Sequence, residues 1–91
     1  MATRYYDKVI RLAETVAEAG HLDAASGIEG AVRGGATGGE ILTYLSIALR
    51  RLIEETPPAP EGLRIEAARL LEVADRALRR VGQVTPPPPK L

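Results

Sequence analysis

The sequence predicts an all-α fold: a compact four-helix bundle with one short, glycine-containing helix and a disordered, proline-rich C-terminal tail. Three observations predict it. Apolar residues recur at i, i+3, i+4 and i+7 spacing in four separate segments. Glycine or proline punctuates the junctions between those segments. No segment alternates polar residues with the β-branched and aromatic side chains of a strand. The chain of 91 residues is short enough to be one domain. The helices are placed at about residues 4–19, 24–33, 38–55 and 60–81, within a domain of residues 1–82.

In the first helix, Tyr5, Tyr6, Val9, Leu12, Ala13, Val16 and Ala17 share one face, with Ile10 at its edge. Thr3 is placed to cap its start and Gly20 to end it in a left-handed conformation. The second helix is short, with Asp23 as the expected N-cap and Leu22, Ala25, Ile28 and Val32 on the inward side. Gly27 and Gly30 each cost roughly 1 kcal/mol relative to alanine within a helix. Their lack of side chains is read as room for close approach by a neighbouring helix.

The third helix follows the turn Gly34-Gly35-Ala36-Thr37-Gly38-Gly39. Thr37 and Glu40 have the spacing of a capping box, in which the hydroxyl accepts from the amide three residues on. Ile41, Leu42, Leu45, Ala48, Leu49, Leu52 and Ile53 form the main stripe; Tyr44 and Ile47 lie outside it. Thr56-Pro57-Pro58-Ala59-Pro60 then breaks the chain, and Pro60 suits the first position of the fourth helix. That helix presents Leu63, Ala67, Leu70, Leu71, Ala74, Leu78 and Val81 on one face, and Gly82 is the expected stop. Residues 83–91 hold four consecutive prolines and read as extended polyproline II. The tail is either a disordered end or a ligand for a partner's aromatic groove.

Composition narrows the function. Twelve basic residues balance twelve acidic ones, so no overall field favours nucleic acid or an anionic membrane. There is no cysteine, hence no disulfide, Cys-ligated zinc or thiol nucleophile, and the single histidine cannot by itself supply a His-based metal site. No apolar run approaches the length of a membrane span, and Met1–Arg11 lacks a signal-peptide core. A cytoplasmic, non-enzymatic protein without metal or cofactor is the expectation. With no Phe or Trp and three Tyr, the core must be aliphatic. A domain this small then needs tight helix packing or a second copy of itself.

Several constellations carry no chemistry on inspection. Gly34 and Gly39 have the separation of P-loop glycines, but Glu40 stands where lysine is required and no strand precedes the loop. The second and third helices form a helix-turn-helix only in outline. The start of the third, Gly38 to Thr43, offers no Arg, Lys, Asn or Gln for base edges, so sequence-specific DNA binding is not expected. His21 reads as a cap or surface residue. Glu14 with Glu18, and Glu54 with Glu55, read as ordinary helix-surface acids beside basic residues.

The stretch Ile28 to Leu52, above all Gly-Ala-Thr-Gly-Gly-Glu-Ile-Leu at 35 to 42, resembles a segment of small uncharacterised bacterial proteins. The resemblance covers about a quarter of the chain and implies an all-helical fold but no particular activity. The Ala-, Arg- and Gly-rich composition is similar to that of a high-GC bacterial proteome. In size and class the chain resembles the immunity proteins that neutralise toxins, and no functional residue is carried over from them.

The expected function is a helical protein–protein interaction module, of the toxin-neutralising kind or a self-associating small subunit. Tyr44, Ile47, Ile65 and Val73 fall off their helices' main stripes. Tyr44 and Ile47 are either core wrapped on two sides or an interface, with Arg51 as a charge at the rim; a homodimer satisfies both readings. The alternative is a nucleic-acid-associated regulator using Arg64, Arg76, Arg79 and Arg80 on an Arg-rich face of the last two helices. Intrahelical ion pairs such as Arg50–Glu54, Arg51–Glu55, Glu72–Arg76 and Asp75–Arg79 would reduce that face to ordinary solvated surface.

Overall fold

The computed structural model describes residues 2–35 and 37–84. Four helices follow one another: α1 (Ala2–Glu18), α2 (Leu22–Gly34), α3 (Gly38–Ile53) and α4 (Glu61–Val84). There is no strand among the described residues. Each helix packs on its sequence neighbour and α4 returns to α1, so short turns close an up-and-down bundle around one core. The α1–α4 seam is the most loosely packed of the four. Tail residues 85–91 and the side chains of Thr3 and Val81 lie outside the described residues.

The turn from α1 to α2 depends on Gly20, whose φ of +98° lies in the left-handed region. Its amide donates to the Ala17 carbonyl at 3.0 Å and the His21 amide to the Val16 carbonyl at 3.1 Å. These are the paired bonds of a Schellman motif, so the glycine is the stop the sequence predicts. At the other end α1 already includes Thr3, because the helix starts at Ala2.

α2 departs from expectation at its start. His21 occupies the N-cap position without a side-chain cap, and Asp23 lies inside the first turn. An acid there still faces the positive end of the helix dipole. Leu22 does not point inward: it is 66% exposed. At about 100° per residue it stands roughly 120° round the helix from Ile28. Ala24, Ala25, Ala31 and Val32 fall closer to the Ile28 direction and make the buried face.

α3 starts as predicted, with the Glu40 amide donating to Thr37 Oγ1 at 3.1 Å. The approach is close: a Cβ on Gly35 would stand 2.5 Å from Ile41 Cγ1 and 2.8 Å from the Ile41 backbone nitrogen. α3 ends at Ile53, short of the expected Glu55. The Glu54 amide closes on the Arg50 carbonyl at 3.1 Å, and the Glu55 amide tightens onto Leu52 at 3.2 Å. The chain then passes through a cis Thr56–Pro57 bond.

Pro60 sits one place before the helix rather than at its first position. Its carbonyl accepts from the amides of Leu63 and Arg64 at 3.0 and 3.1 Å. Gly82 does not stop α4, which continues to Val84. One glycine weakens a helix by only about 1 kcal/mol.

The core is aliphatic, as the composition requires. Val9, Val16, Ile28, Leu45, Leu49 and Leu52 are its largest fully buried side chains. α4 contributes Ala67, Leu70 and Ala74, and the connecting segment adds Ala59 at 2% exposure. The two glycines of α2 are not required for close packing. A Cβ on Gly27 would meet Ala48 Cβ at 3.9 Å, an ordinary contact, and one on Gly30 meets nothing within 4 Å.

Gly30→Ala is therefore expected to stabilise the fold by about 0.5–1 kcal/mol, raising Tm by several degrees. Gly35→Ala is expected to lower Tm, because the backbone of Ile41 must shift. Thermal unfolding of both variants checks the pair; a lower Tm for Gly30→Ala would contradict this account of α2.

Candidate interaction surfaces

The sequence leaves Tyr44 and Ile47 either core or surface, and the structure places them on the surface. They are 49% and 50% exposed, one turn apart on α3. Arg51 follows one further turn along the same face and is exposed. Among the described residues Arg51 takes part in no ion pair. The core stripe of α3 is complete without these three. The flank of α3 facing α4 is different: it carries Ser46 and Arg50, which engage Asp75. Ile65 and Val73, each 48% exposed, lie on α4 and do not extend the α3 helix face.

Asp75 ties α3 to α4 rather than pairing along its own helix with Arg79. One carboxylate oxygen accepts from the Ser46 hydroxyl at 3.1 Å and the other from Arg50 Nη2 at 2.9 Å. Ser46, 7% exposed, is thus a buried polar group with a partner. This leaves Glu54 without the expected Arg50 partner. Glu55 likewise turns away from Arg51: its Oε1 lies 3.3 Å from Nδ1 of His21. That contact is within ion-pair reach but falls short of hydrogen-bond geometry, so the buried Oε1 has no hydrogen-bond partner. His21 caps the Val16 carbonyl of α1 with its backbone amide, while its side chain, 14% exposed, is largely buried. It joins the two turns at one end of the bundle.

The alternative basic set does not gather into one strip. Arg64 is half-buried and its Nε donates to the Ala59 carbonyl at 2.9 Å. Arg76 pairs with Glu72 at 2.9 Å, as the i,i+4 spacing predicts. Arg79 and Arg80 are exposed near the other end of the helix, roughly 20 Å from Arg64 along the axis.

A different basic surface emerges where α1 meets α4. Two hollows of about 300 and 360 Å³ adjoin along this seam, sharing Lys8 and Glu66. A third, of about 240 Å³, continues from Val73 along α4. The basic lining comes from Arg4, Lys8 and Arg11 on α1 and from Arg69, Arg76 and Arg80 on α4. Leu12, Leu63 and Leu70 supply apolar floor. Sequence reasoning misses this surface because its cations belong to helices some sixty residues apart. Each looks like an ordinary solvated flank until the α1–α4 pairing is known.

Tyr5 lies in the floor of the seam, and its hydroxyl donates to the Leu70 carbonyl at 2.6 Å. Its ring meets Tyr6 edge-on at 5.6 Å. Burial, and secondarily the neighbouring Tyr6 and Asp75, push the Tyr5 phenol well above its ordinary value near 10. No helix among the described residues is long and apolar enough to cross a membrane. Among the same residues no group of three or more His, Asp or Glu side chains is placed to hold a metal ion.

Tyr5 gives the fold an alkaline limit. The folded state keeps the phenolic proton above pH 10, where the unfolded chain releases it. The Tyr5 contribution is thus intact below about pH 10 and is lost as pH rises further. Tyr5→Phe is expected to cost about 1 kcal/mol at pH 7 and to flatten the loss of stability between pH 9 and pH 11.5, as read by urea unfolding. An equally steep alkaline loss in the variant would contradict this role.

The chain matches no known protein-family model, no curated protein and no solved structure.

Proposed function

We propose that this protein is a non-enzymatic interaction module that presents the outer face of α3 to a protein partner. One observation carries the reading: Tyr44 and Ile47 stand side by side, half-exposed, on a helix whose core face is already filled. Scattered single apolar residues on a surface need no explanation, but an adjacent aromatic and aliphatic pair is the kind of anchor around which interfaces form. Tyr44 adds a hydroxyl suited to the wet edge of such a contact. Arg51 extends the patch with a charge that no carboxylate among the described residues takes up, placed to select an acidic group on the partner.

The interaction is rigid-body in character. α3 is held on one side by α2 and on the other by α4, so its outer face is pre-organised and little ordering entropy opposes binding. A toxin to be neutralised and a second copy of the chain are the two kinds of protein partner this reading includes. A patch of two residues is smaller than a stable interface, which buries about 800 Å² per partner. Tyr44 and Ile47 are accordingly its centre and the polar residues around them its rim.

The test is affinity capture from nuclease-treated host extract, run in parallel with sedimentation of the purified protein. Wild type is expected to retain one stoichiometric protein or to sediment as a dimer. Ile47→Asp is expected to weaken that association by at least about tenfold, since it puts a charge into a desolvated centre. Its far-UV circular dichroism is expected to match wild type. Unfolding of the variant would place Ile47 in the core, and undiminished binding by the folded variant would remove α3 from the interface.

A further inference from the structure

We infer that the seam between α1 and α4 is a second docking surface, and that its occupant is an acidic amphipathic helix of a protein partner. The inference goes beyond the α3 face: it involves neither Tyr44 nor Ile47. Three features of the seam carry it, and they are independent of one another.

Shape comes first. Two adjoining hollows run between α1 and α4 from Leu63 to Val73, a length on the order of 15 Å, and a third, lined by α4 alone, continues to Arg80. Two antiparallel helices with a loosely filled seam leave a furrow along their length, and a third helix laid in it buries its own apolar stripe. The furrow holds about three turns of a helix, and the surface of α4 beyond it about two more.

Charge comes second. The chain as a whole is neutral, yet Arg4, Lys8, Arg11 and Arg69 line the furrow against a single acid, Glu66, and Arg76 and Arg80 line the hollow beyond it, six cations in all. Among the described residues only Arg76 of the six has a carboxylate partner, Glu72. A neutral protein that gathers uncompensated cations along one groove creates a local positive field there, which attracts an acidic segment and rejects a basic one.

The floor comes third, and it decides between two kinds of polyanion. Leu63, partly exposed, and Val73, 48% exposed where two of the hollows meet, offer aliphatic contacts above the buried Leu12 and Leu70. Aliphatic side chains of a partner helix fit such a floor. A nucleic acid would leave that apolar surface unfilled, and the one aromatic ring among the lining residues, Tyr5, is engaged with Leu70 rather than open to stack a base. The observations therefore favour a peptide helix with leucine-like residues at i, i+3, i+4 and i+7 and carboxylates on its flanks.

The experiment uses the full-length, isotope-labelled protein and follows backbone amide resonances during titration. The probe is a synthetic helical peptide of about 17 residues, built from Leu on one face and Glu on the flanks. Three comparison probes are the same peptide with Lys for Glu, polyglutamate, and a DNA duplex of about 20 base pairs. The Leu/Glu peptide is expected to bind and to shift the amides of Lys8, Glu66, Arg69 and Val73. The Lys peptide is expected not to bind.

Charge reversal by Lys8→Glu with Arg69→Glu, both on exposed side chains, is expected to weaken binding by about tenfold or more. Val73→Asp is expected to weaken it without changing the helix content, and Ile47→Asp to leave it unchanged. Failure of the Leu/Glu peptide to bind at millimolar concentration overturns the inference. So do shifts centred on Tyr44 and Ile47. Binding of polyglutamate or DNA as tight as that of the Leu/Glu peptide overturns the assigned occupant, because charge alone would then account for the surface. Loss of the α3 interaction in the previous experiment leaves these outcomes untouched.

Discussion

Leu45, Leu49 and Leu52 are the residues on which the rest of this bundle depends. All three are fully buried on one face of α3. α2 packs against α3 from one side and α4 from the other, while α1 packs on α2 and α4 and adds Val9, Leu12 and Val16 to the same core. Truncating any one of these leucines to alanine would cost about 2–5 kcal/mol, a large share of the stability of so small a domain. The chain has no Phe or Trp, and its larger Tyr5 only flanks the core, so no bulkier core side chain takes over their part. Alanines on all four helices fill the remaining core, so the helices must lie close, and the fit is set by backbone approach as much as by side-chain bulk.

Polar contacts then fix what apolar packing leaves free. Aliphatic faces alone permit sliding along a helix axis, because leucine and alanine stripes repeat every turn. Asp75, held by Ser46 and Arg50, matches one turn of α3 to one turn of α4. Tyr5 does the same for α1 and α4 through the Leu70 carbonyl. His21 and Glu55 bring the two turns at one end together. The two seams of α4, with α3 and with α1, thus each have a polar marker of register. The seam with the fewest packed contacts is also the one whose flanks carry the uncompensated cations.

Most of the fold is legible in the sequence because its signals are local. The four apolar stripes, the left-handed Gly20 and the Thr37 cap each depend on residues within a turn or two, and each is found in place. The errors have the same cause in reverse. Leu22 is apolar and near a helix start, so it reads as inward until the helix phase is fixed by Ile28. Gly82 reads as a stop by residue type, although the cost of one glycine is small. Asp75 offers two partners, one along the helix and one across it, and only the packing of α3 on α4 selects the second. The exposed character of Tyr44 and Ile47 is visible as a departure from periodicity, but whether another helix covers them depends on where α2 and α4 lie. Only the α4 side of the basic surface has a sequence signature, in Arg76 and Arg80 of the Arg-rich face; Arg4 and Arg69 are unrelated until the bundle closes.

The two surfaces follow from the same architecture. A helix clamped between two neighbours shows only its back, and in α3 that back carries an aromatic and an aliphatic residue. A seam left loose between the first and last helices shows a furrow, and here its rims are cationic. The measurement that tests the central place of α3 most directly is amide hydrogen exchange under native conditions. If the leucine face of α3 holds the bundle together, the amides from Leu45 to Leu52 exchange slowest, at the rate set by global unfolding. Those of α1 and α4 beside the seam exchange faster, through partial opening. Exchange of the α3 amides as fast as those flanking the seam would contradict the account, and would mean that another helix pair carries the stability of the fold.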